Sequence, residues 1–112
     1  EVRHIGNHVS TMVRDALDAF ARFDTDMALA VMKEDRLVDE EYRSATRALV
    51  TFMMEDPRSI SRALNVMWVL RALERIGDHA RNLAEQVIYM VKGKDIRHVP
   101  LAQAEQVIGS NG

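Results

Sequence analysis

The chain has 112 residues, which is enough for one ordinary domain and too few for two. Its 15 Lys and Arg residues are outnumbered by 17 Asp and Glu residues, and the net charge of −2 argues against electrostatic binding of nucleic acid. The absence of cysteine excludes disulfides, thiolate metal sites and cysteine nucleophiles, and no apolar run approaches the roughly 20 residues that span a bilayer, so we expect no direct membrane insertion.

The composition, with 47% apolar and only 5% aromatic residues, is typical of amphipathic helices. The first helix is predicted from about Ile5 to Phe23, because apolar residues recur there at spacings of three and four. Its predicted core face consists of Ile5, Val9, Met12, Ala16, Phe20 and Phe23.

A second helix is predicted to begin near Asp26, because residues 24–26 interrupt the apolar pattern with side chains that favour helix N-caps. It is predicted to end within residues 55–57, because Pro57 pushes the residue before it out of the helical region. Its predicted core face consists of Met27, Val31, Val38, Tyr42, Ala45, Leu49 and Phe52.

The third predicted helix starts after a Ser59 N-cap and ends at Lys92, because Gly93 favours the left-handed conformation that terminates helices. The sequence therefore predicts an all-α fold, an antiparallel three-helix bundle over residues 1–93, followed by a short irregular tail over residues 94–112. The predicted core face of the third helix consists of Val66, Val69, Leu70, Leu73, Ile76, Ala80, Leu83, Val87 and Val91.

Two acidic pairs at a spacing of four residues stand out, Asp35 with Asp39 and Glu74 with Asp78. Like charges at this spacing repel each other on a helix, so a compensating charge is expected. Both pairs lie equally far from the turn between the second and third helices, and both fall on the same flank of the bundle. We therefore expect four carboxylates to converge beside the core and to face solvent, with Asn82 and Glu85 extending the row on the third helix.

Oxygen ligands on facing helices suit hard or borderline cations such as iron, manganese, magnesium or calcium. The ferritin-like di-iron proteins use a Glu-x-x-His motif. Neither Glu74 nor Glu85 has a histidine three residues later, and this argues against an oxygen-activating enzyme. A solvated lattice of ion pairs between these carboxylates and the neighbouring arginines is the alternative interpretation of the same pattern.

Other side chains allow two interpretations each. His79 is either a surface residue or a phosphoacceptor, and His4 and His8, one helical turn apart, either bind a cation or lie on an ordinary surface. Trp68 falls away from the third core face, so it is either an exposed interface anchor or is buried by the first helix. The arginines at 71, 75 and 81 form a candidate contact strip for acidic partners.

The stretch from Arg71 to Glu85, RALERIGDHARNLAE, strongly resembles the signature of the PhoU family. Asp35-Arg-Leu-Val-Asp39 matches the acidic-x-x-x-Asp element on the family's preceding helix, and the ALDAF run at 16–20 is similar to its first helix. The resemblance covers residues 4–100. Because family proteins contain two tandem three-helix repeats, we interpret the chain as a piece of a longer protein, and its VKGKDIRH run suggests the C-terminal repeat.

The resemblance implies a cytoplasmic, non-catalytic regulator of phosphate uptake. Such a protein connects the ATPase subunit of the phosphate ABC transporter to a membrane sensor histidine kinase, and it holds the phosphate-starvation response off when phosphate is ample. We also expect a homodimer. The alternatives are a hydrolytic metalloenzyme with carboxylate-bridged metals and a His phosphotransfer bundle that acts through His79.

The resemblance also implies a cluster of iron, or of another divalent metal such as manganese, magnesium or zinc. In the family, the two acidic-x-x-x-Asp motifs bind this cluster. Carried over to this sequence, the implied metal ligands are Asp35, Asp39, Glu74 and Asp78, and Asn82 belongs to the same signature.

Overall fold

A computed structural model describes residues 2–93 of the chain. Three α-helices follow one another as α1 (Val2–Arg22), α2 (Thr25–Glu55) and α3 (Ile60–Lys92), and a short 3-10 turn, Pro57–Ser59, precedes α3. Each helix packs against the other two, and the short connections make neighbouring helices antiparallel. The predicted all-α three-helix bundle is confirmed. The predicted tail, residues 94–112, lies outside the described residues.

The turn between α1 and α2 is built from local capping. Phe23 adopts a left-handed conformation with a φ of 53°, and the N–H of Asp24 donates to the carbonyl of Ala19 at 2.9 Å, as in a Schellman motif. The Asp24 carboxylate then accepts from the N–H of Met27 at 3.1 Å and caps α2. The second helix therefore begins slightly earlier than predicted.

The turn between α2 and α3 uses its polar side chains differently from the prediction. Ser59 precedes α3, but it does not cap the helix with its side chain, because its hydroxyl donates to the carbonyl of Asp56 at 2.6 Å. The Asp56 carboxylate instead accepts from the N–H of Arg58 at 3.1 Å. At the other end of α3, Gly93 has a φ of 67° and its N–H donates to the Tyr89 carbonyl at 2.7 Å, which confirms the predicted helix end.

The core is a narrow column of apolar side chains from all three helices. On α1 the prediction is right as far as Ala16, but Ala19 continues the buried face in place of Phe20. Small side chains at this end let the helices approach closely, and the larger ones stay outside. The residues wrongly predicted to be buried are Phe20, Phe23, Phe52, Val69, Ile76 and Val91.

Over residues 2–93, none of the helices has an apolar stretch long enough to cross a membrane.

Candidate metal centre

Three carboxylates from α2 and α3 meet at mid-height of the bundle. Asp35 and Asp39 lie one turn apart on α2, and Asp78 faces them from α3. Each of the three offers an oxygen atom within 4.8 Å of the other two. This grouping, which we call the carboxylate group, arises because α2 and α3 run antiparallel, so residues equally far from their connecting turn lie at the same height of the bundle.

Asp35 lies deeper than the sequence predicted. Its side chain belongs to the core, with the residue only 1% exposed, whereas Asp39 is half-buried and Asp78 is exposed. The expectation that the whole row faces solvent is therefore wrong for Asp35. The physical reason is its spacing, because Asp35 follows Val31 by one turn and precedes Val38 by one turn on the buried face of α2.

Gly77 of α3 packs against this buried carboxylate. A Cβ atom at position 77 would lie 3.8 Å from Oδ1 of Asp35 and 3.9 Å from Cγ2 of Val9, which are ordinary van der Waals distances. An alanine would therefore fit here, but a longer side chain would meet Asp35 and the core.

Burial and mutual repulsion raise the pKa values of the α2 carboxylates. Burial is the largest influence on Asp35 and, together with the charge of Asp39, raises its pKa from 3.8 to about 6, although Arg81 opposes the shift. Burial and the charge of Asp78 likewise raise the pKa of Asp39, against Arg43 and Arg81. Arg43 and Arg81 therefore do not fully compensate the negative charge of Asp35 and Asp39.

Glu74 and Asn82 lie one turn on either side of Asp78. Glu74 is half-buried and stays outside the carboxylate group, but burial and the charges of Asp78 and Asp39 raise its pKa. Asn82 is exposed and continues the row along the surface of α3.

Arg81 supplies a positive charge from within the bundle. Its Nε donates to Oε1 of Glu85 at 2.9 Å, and its Nη1 lies 3.4 Å from Oδ2 of Asp35. Glu85 is buried and Arg81 is half-buried against it, whereas Arg71 and Arg75, the other arginines of the contact strip predicted from sequence, are exposed. Arg81 and Arg43 compensate these carboxylates only in part, which leaves a set of oxygen donors whose chemistry fits a hard divalent cation.

The comparisons with known proteins identify the family. A family model described as "PhoU domain" matches residues 2–87. The chain belongs to the PhoU family. The PhoU resemblance seen in the sequence is thus confirmed, and the carboxylate group draws on both of the acidic motifs that carried it.

Relatives in this PhoU family are similar along most of the chain. The phosphate-specific transport system accessory protein PhoU homolog of Pseudomonas aeruginosa is 61% identical over 99% of this chain and 46% of its own length. The accessory protein PhoU of Escherichia coli is 47% identical over 85% of this chain and 39% of its own length. The crystal structure of PhoU from Pseudomonas aeruginosa superposes with a TM-score of 0.80 and 66% identity, covering 82% of this chain and 44% of that one. The chain thus spans less than half the length of these relatives.

The other side chains singled out in the sequence lie away from the carboxylate group. Trp68 is 70% exposed on α3 and borders a shallow groove with Arg71, Arg75 and Ile76. His79 is exposed beside the junction of α1 and α3. The predicted burial alternative for Trp68 is therefore excluded, and the exposed-anchor interpretation stays open.

The sequence predicted only two of the four members of a polar cluster between α1 and α2. His4 and His8 were candidates, but the structure adds two carboxylates of α2, Glu34 and Glu41, as their partners. Only the packing of α1 against α2 brings these four side chains together, and no short motif indicates it.

Proposed function

We propose that this chain is part of a non-catalytic regulator of phosphate uptake, and that its carboxylate group binds a metal cation. The names of the Pseudomonas and Escherichia relatives, accessory proteins of phosphate-specific transport, support the transport role. The observation that carries metal binding is the approach of Asp35, Asp39 and Asp78 to within 4.8 Å.

The proposed ligands are the three members of the carboxylate group, with Glu74 and Asn82 as outer members of the row. The family resemblance favours iron, and the oxygen donors also suit manganese or magnesium, with zinc as a further candidate. A bound cation would neutralise charges that the metal-free protein holds close together. The residues around these ligands would hold them in place. Core packing and Arg81 fix the position of the Asp35 carboxylate.

At the level of the whole protein, we propose a cytoplasmic negative regulator of the phosphate-starvation response. It would link the ATPase subunit of the phosphate ABC transporter to a sensor histidine kinase, and it would act as a homodimer. The exposed groove around Trp68, flanked by Arg71 and Arg75, supports a contact surface on α3, because exposed Trp and Arg side chains often anchor protein interfaces.

Elemental analysis tests the metal site directly. The protein should be expressed from its complete gene, purified without chelators and compared with a variant that carries Asp35→Asn, Asp39→Asn and Asp78→Asn. We expect reproducible iron, manganese or similar metal in the parent and a clear loss of that metal in the folded variant, because these substitutions remove the anionic ligands.

The matched control neutralises three exposed acidic residues elsewhere, through Asp26→Asn, Glu40→Gln and Glu55→Gln. It has the same net charge as the test variant and should keep its metal. Equal metal content in all three proteins, including none in any, would show that the carboxylate group is an ion-pair surface.

A further inference from the structure

Two histidines and a glutamate converge between α1 and α2, away from the carboxylate group. His4 and His8 project from adjacent turns of α1 toward Glu41 of α2. Nδ1 of His8 lies 2.8 Å from Oε1 of Glu41, and Nε2 of His4 contacts Oε2, the other oxygen of the same carboxylate. All three side chains offer a ligand atom within 4.8 Å of the others.

Glu34 binds Nε2, the ring nitrogen of His8 that does not face Glu41. Its Oε2 contacts Nε2 of His8, and a carboxylate can only accept at this contact, so Nε2 carries the proton. In the neutral ring the lone pair then lies on Nδ1, which faces Glu41. A carboxylate behind a histidine in this way is the usual arrangement around metal-binding imidazoles, where it fixes the tautomer and strengthens the ligand.

We propose that His4, His8 and Glu41 form a second metal site, for a borderline divalent cation such as Zn²⁺, with Glu34 as a positioning residue. Two imidazoles and one carboxylate are a donor set that zinc commonly uses when its fourth position stays open. A groove of about 460 Å³ adjoins the cluster and is lined by His4, Ile5, Glu40, Glu41 and Ser44, which leaves room for water or another small ligand on the metal.

The ligand atoms of this site differ from those of the carboxylate group: this site offers imidazole nitrogens and an oxygen, whereas the carboxylate group offers only oxygens. Imidazole nitrogen favours zinc and later transition metals, whereas carboxylates suit magnesium, calcium and manganese. Because the two sites use no common residue, one can be removed while the other is measured.

The test is calorimetric titration of Zn²⁺ into metal-stripped protein expressed from its complete gene. The starting protein carries Asp35→Asn, Asp39→Asn and Asp78→Asn, so that the carboxylate group does not contribute to the signal. We expect one zinc ion per chain that disappears when His4→Gln and His8→Gln are combined. Either substitution alone should weaken the binding of that ion at least about 10-fold, because each removes one of three protein ligands. Visible absorption of bound Co²⁺, with the intensity of a four-coordinate nitrogen and oxygen site, provides an independent readout.

Two control variants make the result specific. His79→Gln removes an exposed histidine of α3 and should leave zinc binding unchanged. Glu34→Ala should weaken binding by about 10- to 100-fold through His8. Glu40→Ala, which removes the same charge beside the groove, should have a much smaller effect. No zinc uptake, or uptake that survives both histidine substitutions, would overturn the proposal whether or not the carboxylate group binds metal.

Discussion

Asp35 is a buried carboxylate in an otherwise apolar part of α2, and its charge opposes folding of the metal-free protein. Burial and the charge of Asp39 raise its pKa from 3.8 to about 6, so the folded protein binds this proton more tightly than the unfolded chain does. The stabilisation is fully present below the unfolded value and is lost as the pH rises through the folded value. The carboxylate proposed as a cation ligand thus lies where its charge destabilises the folded bundle.

We expect Asp35→Asn to raise the free energy of unfolding of the metal-free protein by about 1–3 kcal/mol at pH 7, because asparagine cannot ionise. The gain should shrink toward zero near pH 4, roughly the unfolded pKa of aspartate, where Asp35 itself is protonated in the folded state. Urea denaturation at both pH values measures the difference. Glu40→Gln, which neutralises an exposed residue in the middle of α2, serves as control and should change neither value, and an Asp35→Asn protein that is less stable at pH 7 would contradict the argument.

At the level of whole helices, the predictions that succeeded depended on local chemistry. Pro57 and Gly93 act on their own backbone, so the ends of α2 and α3 followed from the sequence. The choice between adjacent apolar positions, such as Ala19 and Phe20, depends on how closely the partner helix approaches, and the sequence of one helix does not contain that information.

The two candidate sites also differ in how far the sequence could predict them. The approach of Asp35, Asp39 and Asp78 followed from spacing and antiparallel geometry, and the gap between Val31 and Val38 in the α2 pattern was the overlooked signal that Asp35 is buried. The contacts of the histidine site depend on the register of α1 against α2, which connects residues more than 25 positions apart, as the separation of 26 between His8 and Glu34 shows. No periodicity within one helix indicates that register.

The end of α1 offers a test of backbone strain. Phe23 holds the left-handed position that terminates the helix, although a side chain there is unfavourable, and it is exposed, so little packing would be lost on its removal. We expect Phe23→Gly to raise the free energy of unfolding by about 1 kcal/mol. Phe20→Gly, the same change at a helical and exposed position three residues earlier, should lower it by about 1 kcal/mol. Thermal or urea unfolding distinguishes them, and a loss of stability in both would contradict the strain argument.

Across the whole molecule, apolar side chains remain exposed along the junction of α1 and α3. Ile76 borders two neighbouring grooves, one shared with Trp68, Arg71 and Arg75, the other with Leu17. A continuous apolar surface of this kind is typical of a protein interface. We expect this surface to form a protein contact.

We expect Trp68→Lys to leave the free energy of unfolding within about 0.5 kcal/mol of the parent, because the side chain is 70% exposed, and to weaken binding to the transporter ATPase subunit or the kinase. Arg71→Glu with Arg75→Glu should weaken the same binding most strongly at low salt, since charge complementarity is screened at high salt. Biolayer interferometry with each purified partner measures binding, and sedimentation velocity measures whether the proposed homodimer uses this surface.

The matched control is Met54→Lys, which introduces the same charge at another exposed apolar residue, 79% accessible and close to the turn between α2 and α3. It should leave partner binding unchanged, because it is far along the bundle from Ile76. If Trp68→Lys loses partner binding while sedimentation is unchanged, the α3 groove is a partner surface. If it dissociates the dimer and retains both partners, the groove belongs to the dimer interface. Unchanged binding and unchanged sedimentation in the Trp68 and arginine variants would exclude the groove from both roles.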